Sequence, residues 1–249
     1  LLFMSHTNPI RVAQFGLGPI GVACLQLLAR KRWVKVVGGI DVRSDLQGRD
    51  LAEITGLSEL LSAKVYPTFE EFILSHEVDV VFHTAGSKAS VSLEQMEPMI
   101  GRGIAVVSSC EELLYPMLKA PEETLRVNEK CLTTGARILG TGVNPGFVLD
   151  VLPICLSGVC ARVDGVYGER VVNASTRRQP LQKKVGSGLS PEEFEALGRE
   201  GKAGHAGFQE SLMLIAHSLG WKVGSISESI RAVVAEEQIQ TEHFTVKKG

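Results

Sequence analysis

Gly16-Leu17-Gly18-Pro19-Ile20-Gly21 carries three glycines at the spacing G-x-G-x-x-G. It directly follows a β-like run, Ile10-Arg11-Val12-Ala13-Gln14-Phe15, and directly precedes an apolar stretch of helical spacing over 20–29. In that setting each glycine has a physical task. Gly16 permits a tight turn, Gly18 lets a pyrophosphate approach the backbone, and Gly21 lets helix and strand pack closely. Pro19 and Ile20 open the helix, whose N-terminus offers partial positive charge to phosphates. The string alone is a weak signal, since a glycine turn without a ligand reads the same. Asp41, at the end of the next β-like run, strengthens it. Its carboxylate can accept hydrogen bonds from ribose hydroxyls, favouring NAD, while Arg43 can pair with a 2′-phosphate, so NAD and NADP both stay open.

Ligands of open parallel sheets bind beyond the carboxyl ends of the strands. One such end reads Phe82-His83-Thr84-Ala85-Gly86-Ser87, where Thr84, Ala85, Gly86 and Ser87 are small enough to leave room for a nicotinamide ribose. The next reads Val107-Ser108-Ser109-Cys110-Glu111-Glu112. A glutamate pair there can simply favour the N-terminus of a following helix. Facing a nicotinamide, one of the two can instead move protons. Further on, Asn144-Pro145-Gly146-Phe147 forms a turn-rich segment: Asn144 is grouped with the cofactor-binding residues, and Phe147 with the pocket wall or plain core packing. Arg170, Asn173, Arg177, Arg178 and His205 supply polar groups that could hold a substrate, with surface ion pairs or solvent contacts as the plainer readings. Arg170 stands out because it falls within an apolar stretch read as a strand, where an unpaired cation is costly.

The elements that must position these residues alternate strand and helix through the first half. Strands are expected at 10–15, 34–40, 78–82, 104–107 and 137–139, with helices between, one opened by the capping box Thr68-Phe69-Glu70-Glu71. Such alternation gives an α/β fold: a Rossmann-type parallel sheet covered by helices on both faces. Beyond Gly140 the pattern changes to helices at about 148–156, from Ser190-Pro191-Glu192-Glu193, and at 208–219, with strand-like stretches at 162–174 and 223–236. The expected organisation is therefore a dinucleotide-binding domain over 1–140 and an α+β substrate and oligomerisation domain over 141–249.

Composition excludes several other classes. With 26 Lys plus Arg against 28 Asp plus Glu, the formal net charge is −2, too balanced to hold nucleic acid or an anionic membrane. No apolar run is long enough to span a bilayer. The opening Leu1-Leu2-Phe3-Met4 lacks a basic n-region and is too short for a signal h-region, and Met4 is a candidate start. Cys24, Cys110, Cys131, Cys155 and Cys160 form no C-x-x-C pair and read as reduced core thiols of a cytoplasmic protein. No histidine is spaced with them as a metal ligand, so no metal is expected.

The motifs GLGPIG, HTAGS, SSCEEL followed by YP, GTGVNPGFVLD, RVVNASTRRQPLQKKVGSGL and GHAGFQES occur in that order. Together they resemble the 2,4-diaminopentanoate dehydrogenase family of the dihydrodipicolinate-reductase-like oxidoreductases, which includes amine dehydrogenases. The resemblance runs from residue 10 to about 235. The His-His and Lys-containing signature of dihydrodipicolinate reductase itself is not found. The resemblance implies NAD(P)-dependent, reversible oxidative deamination of a small amine or diamino acid to a ketone plus ammonia. It marks Glu111 as the catalytic position, with Glu112 as the fallback. A homodimer formed through the second domain is expected, and a second domain that is incomplete, because members of that family continue past the strand expected near 246. A reading from another class, a non-catalytic NAD(P)-binding sensor or structural homologue, is opposed by the retention of Glu111 and of the region from Arg170 to His205.

Overall fold

The computed structural model describes residues 8–177, 179–200, 203–204 and 206–249. In the first half the expected alternation is realised. Ile10–Phe15 forms β1, Pro19–Leu28 forms α1 with proline in its first turn, and Val34–Ile40 forms β2. Next come α2 (Leu51–Thr55), the two-residue strand β3 (Val65–Tyr66) and α3 (Phe69–Ile73). The Thr68 hydroxyl caps α3, accepting the Glu71 N–H at 3.2 Å. The series continues with β4 (Val80–His83), α4 (Ala89–Ile100), β5 (Ala105–Ser108), α5 (Pro121–Thr134) and β6 (Ile138–Gly140). α2 and β3 escaped the sequence reading because neither is long enough to display a period.

All six strands are parallel, in the order β3-β2-β1-β4-β5-β6. Chain direction across the sheet reverses between β1 and β4, which opens a crevice at the carboxyl ends of those two strands. Each face is buried, as a parallel sheet requires. One is packed by Phe69, Phe72, Leu93, Met96, Met99 and Ile100, the other by Leu17, Leu25, Leu51 and Leu60.

The second half contains α6 (Val151–Ser157), α7 (Gln179–Lys184), α8 (Pro191–Arg199) and α9 (Phe208–Ser218). α8 starts with the expected capping box, in which the Ser190 hydroxyl and the Glu193 carboxylate exchange hydrogen bonds with each other's backbone. A two-residue antiparallel pair, β7 (Ile239–Gln240) with β8 (Thr245–Val246), follows. α6 begins later than expected, because 144–150 is a run of turns ending at Asp150, which caps the helix.

The strand-like stretches at 162–174 and 223–236 correct the sequence reading. Among the described residues they run almost entirely without ladder partners, apart from one bridge between Ala235 and Lys248. Alternating side chains suit a pleated chain, but a strand exists only where a neighbour supplies complementary N–H and C=O groups. Their apolar side chains are accordingly open: Tyr167 and Val171 are each 88% exposed and Val233 is 95% exposed. The cysteines also depart from expectation. Cys110 is buried, but Cys155 and Cys160 are exposed, and all five are free thiols. Among the described residues, no helix is long and apolar enough to cross a membrane.

Candidate active site

The glycine loop lies at the crevice. Gly16 adopts φ +88°, and a Cβ there would press on the Thr84 backbone at 3.0 Å. A Cβ on Gly21 would overlap the Gly16 carbonyl. These two glycines therefore serve the tight crossing of β1, α1 and the end of β4. Gly18 differs, because a Cβ there would meet nothing within 4 Å. Gly18 is also the N-cap of α1, with no side-chain cap and no acidic residue in the first turn. Open space above an uncapped, unopposed helix N-terminus suits a pyrophosphate. Thr84 buttresses the loop: its hydroxyl donates to the Gly16 carbonyl at 2.9 Å and accepts from Gln14 Nε2 at 3.0 Å. Ala85, Gly86 and Ser87 continue from it as exposed small residues.

Asp41 follows the last residue of β2. One carboxylate oxygen accepts the Leu17 N–H at 2.7 Å, and the other accepts the Arg43 N–H at 2.9 Å. The Arg43 guanidinium donates to the same carboxylate at 3.1 Å and to the Leu17 carbonyl at 2.9 Å. Burial pulls the Asp41 pKa upward, but the Arg43 side chain and the two backbone N–H groups outweigh it and hold the carboxyl below its ordinary value. A charged acceptor beside the glycine loop, together with the open helix end, fits the adenosine side of a dinucleotide.

Glu111 and Glu112 open a short 3₁₀ turn, Glu111–Leu114, just past the end of β5. Their roles separate cleanly. The Glu112 carboxylate accepts the Ala89 N–H at 2.8 Å and so caps α4, whose own N-cap residue provides no side-chain bond. The plain reading of the pair, stabilisation of a helix N-terminus, thus holds for Glu112, on a helix earlier in the chain. Glu111 stays half-buried and faces the second half. At Gly207, with φ +101°, a Cβ would come within 3.2 Å of the Glu111 Cβ and would overlap the Pro145 ring. The start of α9, the Asn144-Pro145-Gly146 turn and Glu111 therefore converge, with Asn144 half-buried and Phe147 at 50% exposure beside them. The Asn144–Pro145 peptide is cis.

Three buried polar residues unmarked by the sequence reading hold this junction. Asp150, fully buried, accepts Gly146 N–H at 2.8 Å, Val151 N–H at 2.6 Å and the Ser211 hydroxyl at 2.7 Å, tying the turn to α9. His83, also fully buried, stacks on Phe15 and hydrogen-bonds Ser108 Oγ at 3.0 Å and Gln95 Oε1 at 2.9 Å. Since Gln95 Oε1 can only accept, His83 Nε2 carries the proton and Nδ1 accepts from Ser108. The Ser108 Oγ in turn accepts the Cys110 N–H at 3.1 Å, fixing the backbone just before Glu111. Glu210, in the first turn of α9, is 2% exposed, and burial pushes its carboxyl pKa up. Asp150 and Glu210 sit inside quoted motifs, but only packing reveals their burial.

The substrate candidates of the second half are not gathered at this junction. Arg170, Asn173 and Arg177 are exposed, and among the described residues no hydrogen bond or ion pair connects them to Glu111. Arg170 lies on an unpaired extended segment, so the expectation of a cation inside an apolar strand does not hold. Asn173 caps a local turn, accepting the Ser175 N–H at 3.0 Å. Arg178 and His205 lie outside the described residues. A cavity of about 560 Å³ between α8 and the 231–235 and 245–249 segments contains none of the expected site residues.

The six-strand order with a glycine loop at its reversal point defines a Rossmann-type fold, with its crevice where such sheets bind ligands. Comparison with known proteins narrows this. Residues 147–249 match the family described as the 2,4-diaminopentanoate dehydrogenase C-terminal domain. A 2,4-diaminopentanoate dehydrogenase of Acetoanaerobium sticklandii is 29% identical, the match covering 96% of this chain and 69% of that protein. An amine dehydrogenase of Streptomyces virginiae is 26% identical over 73% of this chain, which spans about half (51%) of the relative. The structure of an amine dehydrogenase from Mycobacterium smegmatis shares the fold, with a TM-score of 0.80, 24% identity, and coverage of 98% of this chain and 72% of that one. Over these spans the chain is similar to 2,4-diaminopentanoate and amine dehydrogenases.

Proposed function

We propose that the chain is an amine dehydrogenase using NAD or NADP, converting a small amine or diamino acid, water and oxidised cofactor into a ketone, ammonium and reduced cofactor, reversibly. The relatives' names support the reaction class, and the observation that carries the residue assignment is the position of Glu111. It is a half-buried carboxylate at the strand end next to the crevice, covered by Gly207 and Pro145, and relieved of helix capping by Glu112.

A bound nicotinamide cofactor would supply the acceptor for the hydride leaving the amine-bearing carbon. Gly16, Gly18, Pro19, Ile20 and Gly21 would hold its pyrophosphate, and Asp41 and Arg43 its adenosine end. Thr84, Ala85, Gly86, Ser87 and Asn144 border the nicotinamide side. Glu111 takes a proton from the substrate ammonium, because only the neutral amine can support hydride loss. As carboxylate it then offsets the positive charge of the iminium and orients the water that adds to it. In the reductive direction the same carboxyl returns the proton. Phe147, beside the Glu111 junction, is the candidate for the pocket wall; Arg170, Asn173 and Arg177, exposed and not gathered with Glu111, and His205 are candidates for contact with a substrate carboxylate.

The test is to incubate the protein with NAD+ or NADP+ and a panel of short-chain amines, with and without a carboxylate, following reduced nicotinamide by absorbance. Turnover in wild type should fall about 100-fold or more in Glu111→Gln, with cofactor binding retained. Full turnover in that variant would falsify the assignment of Glu111. Efficient turnover of amines lacking a carboxylate would remove Arg170 as an obligatory clamp.

A further inference from the structure

Among the described residues, Glu210 is the one carboxylate at the junction with a buried oxygen that has no hydrogen-bond partner. The residue is 2% exposed, and its Oε1 is buried without a hydrogen-bond partner. It stands three positions after Gly207, so the two share a face of the α9 N-terminal turn. Gly207 is the residue whose missing side chain admits Glu111, because a Cβ on it would lie 3.2 Å from the Glu111 Cβ. Glu112 lies close enough to act on Glu210 electrostatically, and it is committed as the charged cap of α4. Two carboxylates in a seam closed to water repel, and an ionised oxygen with no donor is costly.

We propose that Glu210 is a positioning residue for Glu111, holding a proton in the seam between α9 and the Glu111–Glu112 turn so that Glu111 works beside a neutral neighbour. The inference rests on the amine-dehydrogenase reading for its effect on turnover, but not for the proton itself. Among the described residues, the titratable groups on the elements around α9 are few, and three of them, Lys119, Glu112 and Glu228, act on Glu210. Glu111 and Glu112 come from the turn after β5, and Tyr115 and Lys119 from the segment before α5. Asp150 comes from the start of α6, and Glu228 from the extended segment after α9. Glu112 and Glu228 favour the protonated carboxyl, whereas Lys119 opposes it. Asp150 has its oxygens filled by three donors. Ionisation of Glu210 adds negative charge to the seam that Glu111 borders, so Glu111 holds the proton it takes from the ammonium more tightly and returns less readily to the carboxylate that orients the attacking water. No bond other than O–H changes, and the Glu210 proton leaves to solvent.

Two variants and two readouts test this. Glu210→Gln keeps size and stays neutral at every pH. Lys119→Met removes an exposed cation that favours the ionised form. In infrared difference spectra of the whole protein, wild type minus Glu210→Gln should show a free-acid carbonyl band at neutral pH that disappears on alkaline titration. Lys119→Met should move that disappearance to higher pH. In turnover, Glu210→Gln should remove the corresponding limb of the kcat–pH profile, with KM for the amine changed less than about threefold. If Glu210→Gln does not fold, the shift in Lys119→Met decides. Absence of the band, or a Glu210→Gln profile superimposable on wild type, overturns the inference. A wild type that shows the band but oxidises no amine overturns the functional reading and leaves the proton on Glu210 standing.

Discussion

Arg43 and Asp41 are the residues proposed to choose between NAD and NADP, and their geometry makes the contest specific. The guanidinium bridges the Asp41 carboxylate and the Leu17 carbonyl, so it is held over the glycine loop with its side chain about half exposed (49%). A ribose 2′-hydroxyl can donate to Asp41 without disturbing that pair. A 2′-phosphate needs Arg43 and must tolerate the Asp41 charge. Arg43→Ala should therefore lower kcat/KM for NADP+ by about tenfold or more, the size of a lost charge-assisted hydrogen bond, while NAD+ changes little. Asp41→Ala should move the ratio the other way. Equal losses with both cofactors would mean that Arg43 serves the loop and not the 2′ position. Asp41 was legible from sequence because a strand end followed by an acid is a local pattern. Glu210 was not, because an acid in the first turn of a helix already has a local explanation. Its burial depends on packing against the distant 111–119 segment.

The elements around Glu111 owe their position to buried hydrogen bonds, and two of these can be measured. Glu112 satisfies the Ala89 N–H at the start of α4. Glu112→Ala should cost about 1 kcal/mol in denaturant unfolding, the usual size of a lost helix cap, with Glu111 still in place. A variant as stable as wild type removes that structural role. His83 joins β4, β5 and α4 through Ser108 and Gln95, and burial lowers its pKa below 6.5 although the Gln95 bond opposes this. The sign follows from linkage. As pH falls below about 6.5, the unfolded chain takes up the proton before the native one does, so stability falls with falling pH. That stability is fully present above this window. Unfolding measured between pH 7.5 and 5.5 should show this loss, no steeper than about 1.4 kcal/mol per pH unit for one proton, and His83→Gln should lack it. The same slope in both proteins would rule His83 out as its source. Apart from α2 and β3, the strands and helices of the first half were readable because each is a local period with its own start and stop signals. The stretches at 162–174 and 223–236 show the opposite case: their alternation is real, but pairing is a property of neighbours that a single stretch does not contain.

At the scale of the molecule, the two halves meet through a polar seam. Lys119 donates to Gln209 at 2.9 Å, Gln209 donates to Glu228 at 3.0 Å, and the Tyr115 and His217 rings lie 5.8 Å apart. The expected cofactor residues span that seam, from the glycine loop to Asn144. A dinucleotide that binds only the native state must then stabilise the whole fold by mass action. At about 100 times its Kd the gain is about 2.7 kcal/mol, which for a chain of this size raises Tm by roughly 5–10 °C. The rise should grow with the logarithm of cofactor concentration, and the cofactor preferred in turnover should produce it at the lower concentration. Glu111→Gln should leave it intact, because that carboxylate serves the reacting carbon and not the dinucleotide. Asp41→Ala should require a higher NAD+ concentration for the same rise. If neither NAD+ nor NADP+ moves Tm while the protein unfolds cooperatively, the crevice between β1 and β4 is not a dinucleotide site, whatever the glycine spacing suggests.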